Sequence, residues 1–157
     1  MNLQVDIQSV SSESAPKEED IRRWVRAALH KHPEDAELTV RIVDIDEMAT
    51  LNQTYRGKSG PTNVLSFPSD LPAELELPLL GDIVICAPVV AREATEQHKP
   101  AIAHWAHMTV HGTLHLLGYD HQEEAEALAM ESLETTILAT LDYPCPYQAS
   151  PAMEHQR

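Results

Sequence analysis

The chain has 157 residues, two cysteines and a formal net charge of −14, which suits a single domain that buries its own core without a disulfide framework. The negative charge counts against a broad basic surface for a polyanion, because Lys and Arg side chains dominate binding to phosphate groups. No segment reaches the roughly 18 apolar residues of a membrane span, and the first residues lack the pattern of an export signal. We therefore expect a soluble, cytoplasmic protein with no membrane partner, in which any anionic ligand meets a local cationic groove.

The first half of the chain predicts two strands that alternate with two helices. Residues 3–8 and 37–43 alternate apolar and polar side chains, as strands do. Between these strands a helix is predicted, and its apolar stripe consists of Ile21, Trp24, Val25, Ala28 and Leu29. Asp44 or Asp46 can cap a second helix, which should end near Gly57 because glycine readily takes the left-handed conformation that ends helices.

The next part of the chain predicts two more strands and a long helical region. Residues 64–67 and 82–86 are apolar runs typical of strands, and a Pro-rich acidic loop over residues 68–78 separates them. Helical periodicity then extends over residues 88–115, with an interruption near Pro100 because proline disrupts the helix interior.

A closing helix is predicted over about residues 122–141, and its glutamates are expected to face solvent. Its predicted buried positions are Ala125, Leu128, Leu133, Ile137 and Leu141. The order β-α-β-α-β-β-α-α indicates an α+β fold. We expect one domain over residues 1–142, with a small mixed sheet of about four strands covered by helices, and a frayed tail over residues 143–157. The sequence leaves open whether all the strands join one sheet.

The segment H-G-T-L-H-L-L-G-Y-D-H, from His111 to His121, predicts a metal site. His111 and His115 are four residues apart, so on a helix they lie one turn apart on one face. Gly118 can end the helix and let His121 approach the same point. Three histidine ligands without a fourth protein ligand are typical of catalytic rather than structural zinc. The pattern therefore predicts a zincin-like metal helix that holds one divalent metal ion per chain, and imidazole ligands leave zinc, nickel and copper open.

This histidine spacing equals that of the metzincin proteases, in which a glutamate general base follows the first histidine. The residue at that position is Gly112. A metallopeptidase therefore stays an alternative that the ligand spacing favours and the missing base weakens.

A basic, glycine-rich loop follows the second predicted helix. Arg56 and Lys58 lie there beside Gly57 and Gly60, where the backbone can approach a ligand closely. An arginine presents a planar fork that suits a phosphate group. Equally, an arginine at a helix C-terminus can simply interact with the helix dipole and the last carbonyl groups.

Together, these segments resemble a known family. H-G-T-L-H-L-L-G-Y-D-H, preceded by N-x-x-Y-R-G-K-x-x-P-T-N-V-L-S-F-P and L-G-D-I-V-I-C, is similar to the motifs of the YbeY endoribonucleases, which are bacterial rRNA maturation factors. The resemblance extends from about Leu51 to His121 and covers all three motifs in their order.

The resemblance implies that His111, His115 and His121 bind zinc and that Arg56 takes part in activity. It also implies a hydrolase that cleaves single-stranded RNA, acts on the 3′ end of 16S rRNA and contributes to ribosome quality control. The implied partners are small-subunit rRNA, the small ribosomal subunit and its assembly factors.

Within this hypothesis, a metal-activated water or the 2′-OH of the RNA attacks the phosphodiester, and Arg56 stabilises the transition state. Asp120 could orient a ligand histidine or simply form a turn. Lys58 and His107 are further candidates for contacts with ligands or substrate, although an ordinary helix histidine is the favoured interpretation of His107. A non-catalytic ribosome-assembly factor stabilised by zinc is a third interpretation.

Overall fold

The computed structural model describes residues 2–32, 34–72, 75, 77–120 and 122–147. Within this part of the chain it contains four strands and five helices. In chain order these are β1 (Leu3–Ser9), α1 (Glu18–Ala28), β2 (Ala36–Val43), α2 (Ile45–Arg56), β3 (Val64–Pro68), β4 (Leu79–Cys86), α3 (Ala87–Glu96), α4 (Ala101–Leu116) and α5 (Glu124–Thr140). The predicted α+β fold with a mixed sheet covered by helices is confirmed.

All four described strands join one sheet in the order β1-β2-β4-β3. β1 and β4 pair with β2 in parallel, whereas β3 pairs with β4 in the antiparallel direction. The antiparallel pairing puts the start of β3 beside the end of β4, since Val64 is opposite Ile85 and Pro68 is opposite Gly81. The sequence left this arrangement open.

Helix α4 lies at the centre of the domain and contacts α1, α3, α5, β3 and β4. Side chains of β4 alternate between the two faces of the sheet, as a strand requires. Ile83 and Ile85 belong to the main core with α4, whereas Val84 and Cys86 pack in a second cluster with Met48 of α2. Burial on both faces explains why β4 is a nearly continuous apolar run.

Two predicted element ends have clear physical causes. α2 ends at Arg56 because Gly57 takes a left-handed conformation with φ 66°, as predicted. The expected interruption near Pro100 divides the long helical region into α3 and α4, and Pro100 occupies the N-cap position of α4.

Asp44 stands at the N-cap position of α2 but makes no cap hydrogen bond. It accepts hydrogen bonds from Ser11 and Ser12 instead.

The burial predicted for the last helix is wrong in its first half. Ala125 and Leu128 are exposed. The buried positions of α5 are Met130, Glu134, Ile137 and Leu138. The expectation that the glutamates of this helix face solvent therefore fails at Glu134, which is 0% exposed.

The described part of the predicted tail, residues 143–147, contacts the domain. Tyr143 packs edge-on against Trp24 of α1, with ring centroids 6.4 Å apart. Tyr147 donates a hydrogen bond to Glu134. The rest of the predicted tail, residues 148–157, lies outside the described residues, as do residues 73, 74 and 76 of the predicted acidic loop. None of the helices in the described part is long and apolar enough to cross a membrane.

Candidate functional site

A cleft of about 670 Å³ lies between the loop after α2, the strand β3 and the end of α4. Arg56, Lys58, His111, His115 and Asp120 all line it. The basic loop and the histidine helix, which are more than fifty residues apart in sequence, therefore face one space. This is the arrangement that a reaction on an anionic substrate needs.

The loop that carries Lys58 is held by the buried side chain of Asn52. The amide group of this side chain donates a hydrogen bond of 2.8 Å to the carbonyl of Gly60, and the backbone carbonyl of Asn52 accepts one from the backbone N–H of Lys58. Gly60 has φ 83°, a conformation that favours glycine. Arg56, the last residue of α2, and Lys58, on the loop that these hydrogen bonds hold, both have exposed side chains.

The charge of the cleft differs from that of the whole chain. Two cationic side chains, Arg56 and Lys58, and one carboxylate, Asp120, are among the described residues that line it. The chain as a whole carries −14. The cleft is thus a locally cationic groove on an acidic protein. A chain of this net charge needs such a groove to bind an anionic ligand.

His111 and His115 present their Nε2 atoms to each other on one face of α4. The two atoms are 3.1 Å apart. Two nitrogen ligands at about 2.0–2.1 Å from a tetrahedral zinc ion are separated by roughly 3.3 Å. The pair therefore fits two adjacent positions of one metal ion. Gly118 has φ 103° and turns the chain as predicted, whereas His121 lies outside the described residues.

The other nitrogen of His111 contacts a buried carboxylate. Nδ1 of His111 is 2.9 Å from Oε2 of Glu134. Oε1 of Glu134 is 2.7 Å from Nε2 of His107, and the hydroxyl group of Tyr147 donates to the same oxygen. Burial opposes ionisation, but the hydrogen bonds from His107, His111 and Tyr147 outweigh it and lower the pKa of Glu134 to about 2. Glu134 is therefore an ionised carboxylate in the core.

His107, His111 and Glu134 form a second cluster with metal-binding potential. Their ligand atoms all lie within 4.8 Å of one another, so these residues could hold a metal ion. His107 is buried and faces Glu134 instead of the cleft. The imidazole ring of His111 thus stands between two groups of potential ligands, one buried and one facing the cleft.

Sequence reasoning missed Glu134 and Tyr147. Glu134 had a detectable signal, because it shares a helical stripe with Met130, Ile137 and Leu138, spaced three and four residues from it. Tyr147 follows two prolines in the C-terminal segment, where no local pattern points to a contact with α5.

Gly112 lies where α4 approaches the sheet most closely. A Cβ atom at this position would be 2.8 Å from Cγ2 of Ile83, 3.2 Å from Oγ of Ser66 and 3.3 Å from Cγ2 of Val64. The hydroxyl group of Ser66 donates a hydrogen bond of 2.9 Å to the carbonyl of Gly112. A glutamate side chain at residue 112, the position of the metzincin base, has no room here, because side chains of β3 and β4 fill the adjacent space.

Together, the fold and the cleft define a small α+β domain whose histidine helix faces a cationic loop. A family model described as endoribonuclease YbeY matches residues 5–142, and the chain belongs to this family. It is therefore an endoribonuclease with a role in rRNA processing, and the predicted family is confirmed.

The chain is also similar to the solution structure of TM1509 from Thermotoga maritima. The TM-score is 0.58 with 22% sequence identity, and the match covers 93% of this chain and 99% of that chain. At this identity the likeness confirms the fold alone.

Proposed function

We propose that the protein is a single-strand-specific, metal-dependent endoribonuclease that matures the 3′ end of 16S rRNA and acts in ribosome quality control. Its site holds one Zn²⁺ through His111, His115 and His121. The observation that carries the proposal is the cleft in which Arg56 and Lys58 face the paired Nε2 atoms of two histidines. The small ribosomal subunit and its assembly factors are its proposed partners in the cytoplasm.

The cleft side of His111 suits the reaction better than the buried cluster. A catalytic zinc keeps one position open to water or substrate, and His111 and His115 line the cleft where RNA has access. His107 and Glu134 are 7% and 0% exposed, so an ion held by them would be out of reach of a phosphodiester. When bound, zinc supplies a Lewis acid for a phosphoryl oxygen and lowers the pKa of water to about 7.

Arg56 provides the charge that the reaction requires. As a nucleophile adds to phosphorus, negative charge builds up on the phosphoryl oxygens, and a preorganised arginine stabilises it by a few kcal/mol, roughly 2.7–4 for a comparable donor. Lys58, two residues away, binds a neighbouring phosphate group as a point charge. Asp120 lines the same cleft. It directly precedes His121 in the sequence, and its proposed role is to orient the ring of that histidine.

The preference for single strands follows from charge and shape. A duplex is held mainly through contacts with many phosphates along its backbone, and an acidic chain with a short cationic cleft offers few such contacts. A single strand can place one phosphodiester between Arg56 and the histidine pair.

The nucleophile is either a water molecule or the 2′-OH next to the scissile phosphate. In both cases a P–O bond forms, another P–O ester bond breaks, and the leaving oxygen takes up a proton. An RNA with 2′-deoxyribose at the cleavage position separates the two routes. Cleavage by water continues on this substrate and leaves no cyclic phosphate, whereas attack by the 2′-OH stops.

The main test compares His115→Ala and Arg56→Ala with control variants that change the same residue types on α1 and after it, His30→Ala and Arg23→Ala. Untagged protein is assayed for metal content and for cleavage of single-stranded and duplex RNA. We expect about one zinc per chain in the wild type and in both controls. His115→Ala should lose metal and cleavage together. Arg56→Ala should keep its fold and metal but lose about 10²–10³-fold in rate.

The outcome also separates the rival functions. If His115→Ala loses metal but cleaves RNA at the wild-type rate, the metal-dependent mechanism is wrong. If wild-type protein binds zinc and cleaves no RNA, a zinc-stabilised assembly factor is supported instead. Hydrolysis of an unfolded protein that disappears in His115→Ala would support a metallopeptidase, which the packing at Gly112 disfavours.

A further inference from the structure

We infer that Glu134 and Tyr147 are positioning residues that hold His111 with its Nε2 atom toward the cleft. The inference rests on the proposed metal site, because the orientation matters only if Nε2 binds a metal ion. It concerns the opposite side of the imidazole ring, where α5 and the C-terminal segment meet α4. Neither residue belongs to the motifs that indicate the cleft.

The first step is the protonation of the His111 ring. An ionised carboxylate only accepts hydrogen bonds, so the 2.9 Å contact with Glu134 requires the proton on Nδ1 of His111. A neutral imidazole carries one proton, so its Nε2 atom is then unprotonated and is the nitrogen that can bind a metal ion. That atom lies 3.1 Å from Nε2 of His115. Glu134 thus selects the tautomer that a metal ligand at the cleft needs.

The second step is the position of Glu134 itself. Its side chain is fully buried, and the two oxygens face different donors. Oε2 accepts from His111, while Oε1 accepts from His107 at 2.7 Å and from the hydroxyl group of Tyr147 at 2.5 Å. Nδ1 of His107 is buried without a hydrogen-bond partner among the described residues, as expected for a neutral ring that donates through Nε2. The carboxylate is held from both ends and cannot rotate away from His111 without breaking these bonds.

The third step distinguishes a positioning role from metal ligation. A metal ion between His107, His111 and Glu134 would have to replace the protons that now join these groups at 2.7 and 2.9 Å. The Tyr147 hydroxyl also donates to Oε1 of Glu134, the oxygen that accepts from His107. The hydrogen bonds already satisfy both oxygens of Glu134, so the cluster is complete without an ion.

Tyr147 extends the network to the C-terminal segment. It lies beyond residues 5–142, the part that matches the family model, and yet it reaches the carboxylate that orients a proposed metal ligand. Its ring also stands edge-on to His107, with centroids 5.3 Å apart. The C-terminal segment is thereby coupled to the cleft through Glu134 and His111.

The test measures the tautomer of His111 directly, in metal-free, full-length protein, by long-range ¹H–¹⁵N NMR of the histidine rings. We expect Nδ1 to carry the proton in the wild type. Glu134→Gln should shift the population toward the other tautomer, because a carboxamide can present its NH₂ group to Nδ1. Tyr147→Phe keeps the shape of the side chain and should cause a smaller shift. Tyr143→Phe, which removes a hydroxyl group from the same segment, should cause none.

Zinc affinity is the second measurement, by competition with a chelator. Loss of an orienting partner typically weakens metal binding 10–100-fold, so we expect a loss of about this size in Glu134→Gln and of about 10-fold or less in Tyr147→Phe, with one zinc per chain throughout. The inference is overturned if Glu134→Gln does not shift the tautomer of His111, and its part on Tyr147 is overturned if Tyr147→Phe changes neither the tautomer nor the zinc affinity. It is also overturned if Glu134→Gln abolishes zinc binding while His115→Ala retains it, since Glu134 would then be a ligand.

These results are separable from the proposed function. Wild-type protein with the expected tautomer and zinc affinity but without RNA cleavage would refute the nuclease mechanism and support the positioning role. Conversely, cleavage that depends on His115 and Arg56, with no response of His111 to Glu134→Gln, would support the nuclease and refute the positioning role.

Discussion

Replacement of Gly112 by alanine tests how closely α4 packs on the sheet. Alanine favours a helix interior over glycine by about 1 kcal/mol, so without tertiary contacts the substitution should stabilise the protein. The added Cβ atom would, however, be 2.8 Å from Cγ2 of Ile83 and 3.2 Å from Oγ of Ser66. Overpacking of a core costs about 1–3 kcal/mol. Disturbance of the hydrogen bond from Ser66 to the Gly112 carbonyl costs about 1 kcal/mol more.

The balance predicts a net destabilisation of about 2 kcal/mol, which lowers the melting temperature of a chain this long by about 4–8 °C. Calorimetry and urea unfolding measure the effect. In an Ile83→Ala background the closest clashing atom is gone, so the added cost of Gly112→Ala should vanish or change sign. A rise in melting temperature on Gly112→Ala alone would show that helix propensity prevails and that the close packing is misjudged.

Three further outcomes are expected. Burial raises and hydrogen bonds lower the pKa of Glu93, and the lowering prevails. Its ionised form therefore adds stability above the ordinary carboxyl pKa of 4.5 that is lost as the pH falls further, and urea unfolding across the acid range should show a shallower fall in Glu93→Gln. Burial also raises the pKa of the Cys86 thiol, so a thiol reagent should modify the partly exposed Cys145 in native protein and Cys86 only after unfolding. Finally, two phosphate contacts, from Arg56 and Lys58, predict that log affinity for single-stranded RNA falls with log salt at a slope of roughly −1.4. A slope steeper than roughly −4 in a binding titration would indicate a broad basic surface.

Local patterns predicted most helices and strands and several residues that line the cleft, because each motif lies within one or two neighbouring elements. The spacing of His111 and His115 follows from the helical period, and the turn at Gly57 follows from the conformational freedom of glycine. Their meeting in one cleft depends on β3 lying antiparallel at the edge beside β4. Such a long-range pairing is not encoded in any short window of sequence, and the sequence left it open. The family resemblance implied only that Arg56 and the three histidines serve one activity.

The error at α5 has a different physical origin. Glutamates on a surface helix normally face solvent, because a buried charge is costly unless it is paired. Glu134 is buried because three donors from α4 and the C-terminal segment satisfy its two oxygens. The donors are 13 to 27 residues away in sequence. The composition of α5 therefore predicts the wrong face until its partners are known.

A buried charge network of this kind is stable only while all its members are present, because a polar group left without a partner in a low-dielectric core is costly. His111 belongs to this network through Nδ1 and to the cleft through Nε2. Hydrogen bonding in the core thus orients the side chain of His111, which also lines the cleft. A substitution at Arg56 should affect the reaction alone, since that side chain is exposed, whereas substitutions at Glu134 should reduce stability and metal affinity together. This difference separates residues that act on the substrate from residues that act through His111.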